Sequence, residues 1–451
     1  MKKLLFFLII IRTLSSEAQC FKSIAAGQYH SVAIKYDGSL WAWGYNFYGQ
    51  LGDGSTINKN TPQQIGYDNN WESVAAGNSH TIAVKTDGTL WTWGDNSYGQ
   101  LGNGTNSSSS VPVQIGTANN WKSVATGDFH TIAIKTDGTL WTCGWNAFGQ
   151  LGDGTTTNKN VFGQIGPAVW QNASGGSAHT IAVRMDGPLW GWGRNDSGQL
   201  GNGTSIDSSI PIEIIYNFFD KVTCSGNHNL AIHNWGTLWV WGDNSYGQLG
   251  NGTTTNITVP TQISFSFLGA IDTADTHTIA RTTNSTLWAW GLNNYGQLGI
   301  ANTTSHTLPV QIGNWYVWNK VAAGADYSLA TSSNGTIYSW GANTYGQLGN
   351  GTNIESYFPV ALTCPITLSV EDFSDANKII IFPNPVKNNL KIENISSVSI
   401  IDIYDIEGKL VKNFITKLNE NINVSDLCAG IYLLKIMDEK GKVFSRRFIK
   451  E

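Results

Sequence analysis

Along most of this chain apolar and polar residues alternate in runs of five or six, each run closed by glycine, asparagine or aspartate. The stretch from Trp71 shows the pattern in full. Trp71-Glu72-Ser73-Val74-Ala75-Ala76-Gly77 is short, apolar and rich in small residues, as a strand in a crowded place requires. His80-Thr81-Ile82-Ala83-Val84-Lys85 alternates and stops at Asp87-Gly88, a tight hairpin signal. Thr89 to Trp93 alternates again. A polar loop over 103–110 then leads to Val111-Pro112-Val113-Gln114-Ile115, whose proline confines it to a sheet edge. Four antiparallel strands are predicted in some fifty residues.

That unit recurs. Trp-Gly-x-Asn-x-x-Gly-Gln-Leu-Gly returns with its first glycine at Gly44, Gly94, Gly144, Gly193, Gly242, Gly291 and Gly341, a period of 49–50 residues. Seven four-stranded units at a fixed period predict an all-β, seven-bladed propeller. A helical solenoid is excluded by the Gly and Asn punctuation and by the lack of a 3.6-residue period. After residue 365 tryptophan disappears, and strands at Lys378 to Phe382, Leu390 to Ile395, Val398 to Tyr404, Lys409 to Phe414 and Ile431 to Met437 predict a small β-sandwich over 366–451.

The N-terminus changes the compartment. Met1-Lys2-Lys3 is basic, Leu4 to Ile11 is apolar, and Ser16-Glu17-Ala18 suits signal peptidase, so residues 1–18 read as a signal peptide and 19–365 as the mature propeller. Eight apolar residues cannot span a bilayer, and no later segment is long enough to be transmembrane. The chain is expected to be secreted or held at the cell surface. With a net charge of −5, nothing global draws it to nucleic acid.

The first unit begins at its innermost strand (Phe21 to Gly27) and the seventh ends at its outermost (Pro359 to Leu362). Each blade is therefore complete, with no strand exchanged between the chain ends. By repeat alignment Cys20 and Cys364 flank the gap where an inter-blade linker belongs, which predicts a disulfide formed after export. Cys143 and Cys224 occupy strand positions filled elsewhere by Trp and Ala, and read as buried thiols.

His30, His80, His130, His179, His228 and His277 form one column. A whole blade separates neighbours, too far to share a metal ion at about 2 Å. They are read as structural, each hydrogen-bonding a neighbouring turn. Gln50, Gln100, Gln150, Gln199, Gln248, Gln297 and Gln347 are read as structural too, their amides satisfying loop backbone. The Asp-Gly and Asn-Gly loops after them lack the ligand spacing of a calcium site. No phosphate loop or nucleophile–base pair stands out. No metal, cofactor or catalytic residue is assigned.

Gly-x-x-His (Gly27-Gln28-Tyr29-His30 and its copies), Asp-Gly, Trp-Gly and Gly-Gln-Leu-Gly together resemble the repeats of the regulator of chromosome condensation family, over residues 21–362. The resemblance implies the same seven-bladed ring. Departures are Tyr327 in place of the seventh histidine, Cys143 for a tryptophan, and Trp235-Gly236 and Asn284-Ser285 for the Asp-Gly turn. The nuclear member's nucleotide exchange is a role the resemblance offers as an alternative, poorly matched to an exported, acidic chain.

Function is sought where repeats disagree. The residues before each histidine and after each Trp-Gly vary, and should ring one face around the central channel. Tyr29, Tyr45, Asp128, Phe129, Trp145, Arg194, Asp275, Asp326 and Tyr327 are the candidate contact residues for an extracellular protein or glycan. A polysaccharide-degrading enzyme is the alternative: an acidic pair facing a cleft would favour it, and a flat aromatic face would favour binding.

The tail resembles the C-terminal sorting domain of type IX secretion. The matching residues are Phe382-Pro383-Asn384-Pro385, Ile403-Tyr404-Asp405 with Glu407-Gly408-Lys409, Gly430 to Ile436, and Arg446-Arg447-Phe448-Ile449-Lys450. The resemblance implies that residues 366–451 address the chain to that secretion machinery.

Overall fold

The repeated tryptophans are buried because each caps the joint between two units. Trp93 Nε1 donates to the Gln50 carbonyl of the preceding unit at 2.9 Å, and Trp192, Trp241, Trp290, Trp340 and Trp43 make the same bond to the carbonyls of Gln150, Gln199, Gln248, Gln297 and Gln347. In the third unit Cys143 Sγ takes that place, 3.5 Å from the Gln100 carbonyl. These joints come from a computed structural model, which describes residues 20–364 apart from 267, 314 and 315, and residues 380–393, 399–405, 409–416, 421–437 and 443–451. The leader read at 1–18 lies outside the described residues.

Seven four-stranded antiparallel sheets follow one another, each with its strands in chain order. The first blade is Phe21–Ala26, His30–Lys35, Leu40–Gly44 and Lys59–Gln64, and the seventh is Trp318–Gly324, Tyr327–Ser332, Ile337–Gly341 and Ser356–Ala361. Both are complete, so no strand is exchanged between the ends. The proline-bearing segments are the outermost strands, as ladder geometry requires. Gly94 turns out of its strand at φ 100°, and a Cβ there would lie 2.5 Å from the Ser79 carbonyl oxygen. Only glycine lets the chain swing so close to the inner hairpin.

Each inner strand hangs from the turn of the blade before it. Trp71 N donates to the Gly38 carbonyl at 3.0 Å, Trp121 N to Gly88 at 3.1 Å, and Phe21 N to Gly335 at 3.0 Å, the last being the junction from blade seven to blade one. Where the other junctions have continuous chain, this one has the Cys20–Cys364 disulfide, with Cα atoms 6.0 Å apart. Cys143 and Cys224 are buried free thiols.

Lysine ends the second strand of three blades for a packing reason. Lys85 Nζ lies 4.7 Å from the Trp71 ring and 4.0 Å from the Trp91 ring. Lys35 and Lys135 sit over their own aromatics in the same way. The ammonium faces the negative ring faces while the stem covers apolar surface.

The chain divides into two compact units, Met1–Cys364 and Pro365–Glu451. The second holds a three-stranded sheet (Ile380–Phe382, Asn389–Glu393, Asn421–Asn423) and a four-stranded one (Leu410–Thr416, Ser399–Tyr404, Gly430–Met437, Val443–Lys450). Ile401, Ile403, Leu434, Ile436 and Phe448 from the larger sheet and Leu390, Ile392 and Ile422 from the smaller form one core. The strands at Asn421–Asn423 and Val443–Lys450 were not among those predicted.

Candidate binding face

The ring is tied from the inside by the histidine column. His80 Nε2 lies 2.9 Å from Thr131 Oγ1 of the next blade, and Thr131 donates its only proton to the Gln100 carbonyl at 2.6 Å. The hydroxyl must therefore accept from Nε2–H, which fixes a neutral tautomer with Nδ1 bare. His30, His130, His228 and His277 reach Thr81, Thr180, Thr278 and Ser328 in the same way, and His179 reaches Asn229 Oδ1 at 2.7 Å. The partner is the next blade's second strand, not a turn as the sequence reading expected. Burial holds these imidazoles neutral, with His30 pushed down to about 3 and His80 to about 4.

Tyr327 belongs to this column and not to the face. It is fully buried, its hydroxyl donating to the His30 carbonyl at 2.6 Å. Its place in the repeat, at the histidine, explains why: that position points into the blade junction in every unit. The expectation that Tyr327 is a contact residue is corrected.

The other variable positions do lie side by side. Tyr45 N donates to the Tyr29 carbonyl, Trp145 N to Phe129 and Arg194 N to Ala178, at 2.8–2.9 Å. Each bond sets the residue after Trp-Gly beside the residue before the histidine. Two aromatic clusters result. Tyr29 and Tyr45 are 6.4 Å apart, and Tyr345 lies 5.3 and 4.8 Å from them. Phe47 stacks on Tyr45 at 6.4 Å, with Tyr48 against its edge at 5.1 Å. On blades two to four, Phe129 and Trp145 are 5.9 Å apart, Tyr98 and Phe148 each pack within 6 Å of Trp145, and Arg194 lies 5.2 Å over the Phe148 ring. Arg194 also pairs with Asp196.

Phe47, Tyr48, Tyr98, Phe148 and Tyr345 were not singled out from sequence. For the last four the signal was present: the residue before Gly-Gln is aromatic in six of seven repeats, Ser197 being the exception. Gln50 Oε1 accepts the Tyr48 amide at 3.0 Å, so the glutamine holds the turn while the ring turns outward. Phe47 is 64% and Tyr48 39% exposed.

Between the clusters the small residues of the seven inner strands enclose a channel cavity of about 220 Å³, bordered by Gln28, Asn78, Asp128, Asp275 and Ala325. Asp275 accepts from Ser225 Oγ at 3.2 Å. Burial, then the nearby Asp275 charge, pushes Asp128 up to about 7. Burial also raises Asp275, and burial and Asp275 raise Asp326. Among the described residues none of the three has an ion-pair partner. Deeper in the channel Asp272, half-buried, accepts from Thr223 Oγ1 and the Ala323 amide, both at 3.0 Å. Its signal was an acid where other inner strands carry Ala25, Ala75 or Ala125.

Comparison with known proteins agrees with this geometry. The chain matches the RCC1-like domain over residues 122–400, regulator of chromosome condensation repeats over 37–84 and 87–134 and, in a second form, over 21–50 and 71–100. The secretion system C-terminal sorting domain matches over 380–451. Human WBSCR16 is similar in structure, with a TM-score of 0.66 and 21% identity over 72% of this chain and 94% of its own. Yeast RCC1 (Prp20), solved bound to Kap60, has a TM-score of 0.65 and 18% identity over 77% of this chain and 86% of its own. The sorting domain directs type IX secretion to the cell surface or beyond. The chain belongs to the RCC1-like propeller family and carries a secretion-system sorting domain at its C-terminus.

Proposed function

We propose that the exported propeller is a non-catalytic binding module that captures an extracellular protein or glycan on the face bearing Tyr29, Tyr45, Phe129 and Trp145. One observation carries the reading: half-buried aromatics at positions the blade does not need pack into two clusters with the exposed rings of Phe47, Tyr48 and Tyr98. Residues that build the ring recur in every unit, whereas Tyr45 and Trp145 are replaced by Asp95, Arg194, Asp243, Leu292 and Ala342 elsewhere. Rigid aromatics offer contact area at little entropic cost.

The hydrolase alternative has its own supporting observation, the channel acids Asp128 and Asp275. They border a cavity of about 220 Å³, below the 300–1,000 Å³ usual for small-ligand sites, which favours a binding mouth over a cleft for a sugar chain. Gsp1p and histones, named with the yeast relative, are that protein's partners, and a likeness of 18% identity carries only the fold.

The test is recovery of bound material from the natural medium by the full secreted chain and by Tyr45→Ala/Trp145→Ala. Loss of a partner at unchanged melting temperature is the expected result. A partner retained by the double variant, or hydrolysis of a polysaccharide by the intact chain, overturns the reading.

A further inference from the structure

The channel mouth on this face has features that blade construction does not account for. Asp128 and Asp275, from blades three and six, border one cavity, and the Asp275 charge opposes ionisation of both Asp128 and Asp326. Neighbouring mouth positions in other blades are neutral: Gln28, Asn78, Ser177, Gly226 and Ala325. Three half-buried acids without a counter-charge are an unfavourable arrangement for an isolated fold, because partly desolvated like charges repel. A second observation is independent of the acids. Thr273, only 4% exposed, borders the same cavity, and its hydroxyl has no hydrogen-bond partner. A buried hydroxyl left unpaired calls for an acceptor or donor from outside. A third is the aromatic rim: Tyr29 is close enough to Asp326 and Asp275 for their charges to disfavour its ionisation, and Tyr345 packs against it.

Resting on the binding-face reading, we infer that this mouth receives a lysine or arginine side chain presented by a partner protein. Charge complementarity selects the occupant. Asp128 and Asp275 supply the counter-charge to the cationic head, and the rings of Tyr29, Tyr45 and Tyr345 flank its stem and the adjoining partner surface, as cations and aliphatic stems favour aromatic faces. A neutral glycan leaves the acid pair uncompensated. The Asp–Asp pair thus sets specificity on a face whose aromatics supply general contact.

The experiment titrates the full secreted chain with an octa-arginine peptide, its neutral octa-citrulline counterpart and cellohexaose. The arginine peptide is expected to bind at least tenfold more tightly than the citrulline peptide. Asp128→Asn/Asp275→Asn should shrink that preference below threefold, whereas Glu213→Gln/Asp220→Asn, an equal charge change at exposed positions, should leave it. Equal binding of the two peptides, no binding of the arginine peptide, or a preference that survives Asp128→Asn/Asp275→Asn overturns the inference. If the peptides tie while cellohexaose binds and Tyr45→Ala abolishes its binding, the face reading stands and the cationic occupant falls. If no probe responds to Tyr45→Ala/Trp145→Ala, both fall.

Discussion

Tyr327 Oη lies 2.6 Å from the His30 carbonyl oxygen and 3.0 Å from Ser31 Oγ, joining the last blade to the first. Ser31 in turn lies 2.9 Å from the Gln347 carbonyl. Six histidines pass the same relay from blade to blade, and the tyrosine closes it. The longer ring reaches past the hydroxyl that a histidine would meet and takes a backbone carbonyl as well. Tyr327→Phe keeps the ring and removes the bond. The His30 carbonyl still accepts the Gly27 amide at 2.8 Å, so the loss should be about 0.5–1.5 kcal/mol, the net worth of one hydrogen bond, read as a lower urea midpoint with unchanged binding on the face.

The histidine relay gives stability a defined pH dependence. Folded imidazoles are held near 3 to 4, against an unfolded value near 6.5. Below 6.5 the unfolded chain binds protons that the folded ring refuses, so stability is full above that pH and is lost as pH falls. Each histidine contributes a loss of about 1.4 kcal/mol per pH unit. Unfolding midpoints should fall steeply from pH 6.5 to 5, and His80→Gln should flatten the slope by one proton. A flat profile across that range contradicts the buried neutral column.

Asp128 runs with the opposite sign. Its folded value near 7 lies above the unfolded 3.8, so the native state holds a proton that the unfolded chain has released. The stability this confers is present at low pH and lost as pH rises from about 4 to 7. Asp128→Asn carries no such loss. It should exceed the parent in stability at pH 8, with the gap closing toward pH 4, as paired urea titrations will read.

Asn96 tests the glycine-rich motif itself. Its Nδ2 donates to the Thr105 and Ser107 carbonyls at 2.9 and 3.0 Å, and its Oδ1 accepts the Leu101 amide at 2.9 Å. Asn96→Ala strands these buried groups at a cost of about 3 kcal/mol, while binding on the face should be unchanged. Lost binding at an unchanged melting temperature would mean that the motif recognises a ligand.

Much of this was legible before any coordinates. Period and alternation fixed seven blades because each strand's burial is set by local pattern. Cys20 and Cys364 were legible because their place in the repeat is the place of a missing linker. Tyr327 was misread because its identity differed from the column while its geometry did not: backbone position, and not residue type, decides which way it points. Tyr48 and its counterparts were hidden for the converse reason. They recur, and recurrence looks structural, yet Asn46 and Gln50 hold that turn and leave the ring free. That Asp128 and Asp275 border one cavity depends on how blades 147 positions apart are placed around the ring, which no local pattern encodes.

The turn of blade five supplies the last test. In blades one to three an aspartate caps this hairpin: Asp87 Oδ1 accepts the Thr89 amide at 3.0 Å and the Thr89 hydroxyl at 2.7 Å, and Asp37 and Asp137 do the same for Ser39 and Thr139. Trp235 takes that place in blade five and is 80% exposed. It has no side-chain acceptor for the Thr237 amide or hydroxyl, and it places a large apolar surface in water. The following glycine, Gly236, keeps the turn at φ 75°, so an aspartate fits the backbone already there. Trp235→Asp should restore the Asx cap and stabilise the propeller by about 1 kcal/mol, with a higher urea midpoint. A lower midpoint would show that Trp235, packed edge-on against His233 at 5.1 Å, holds the blade through that contact more strongly than a cap does.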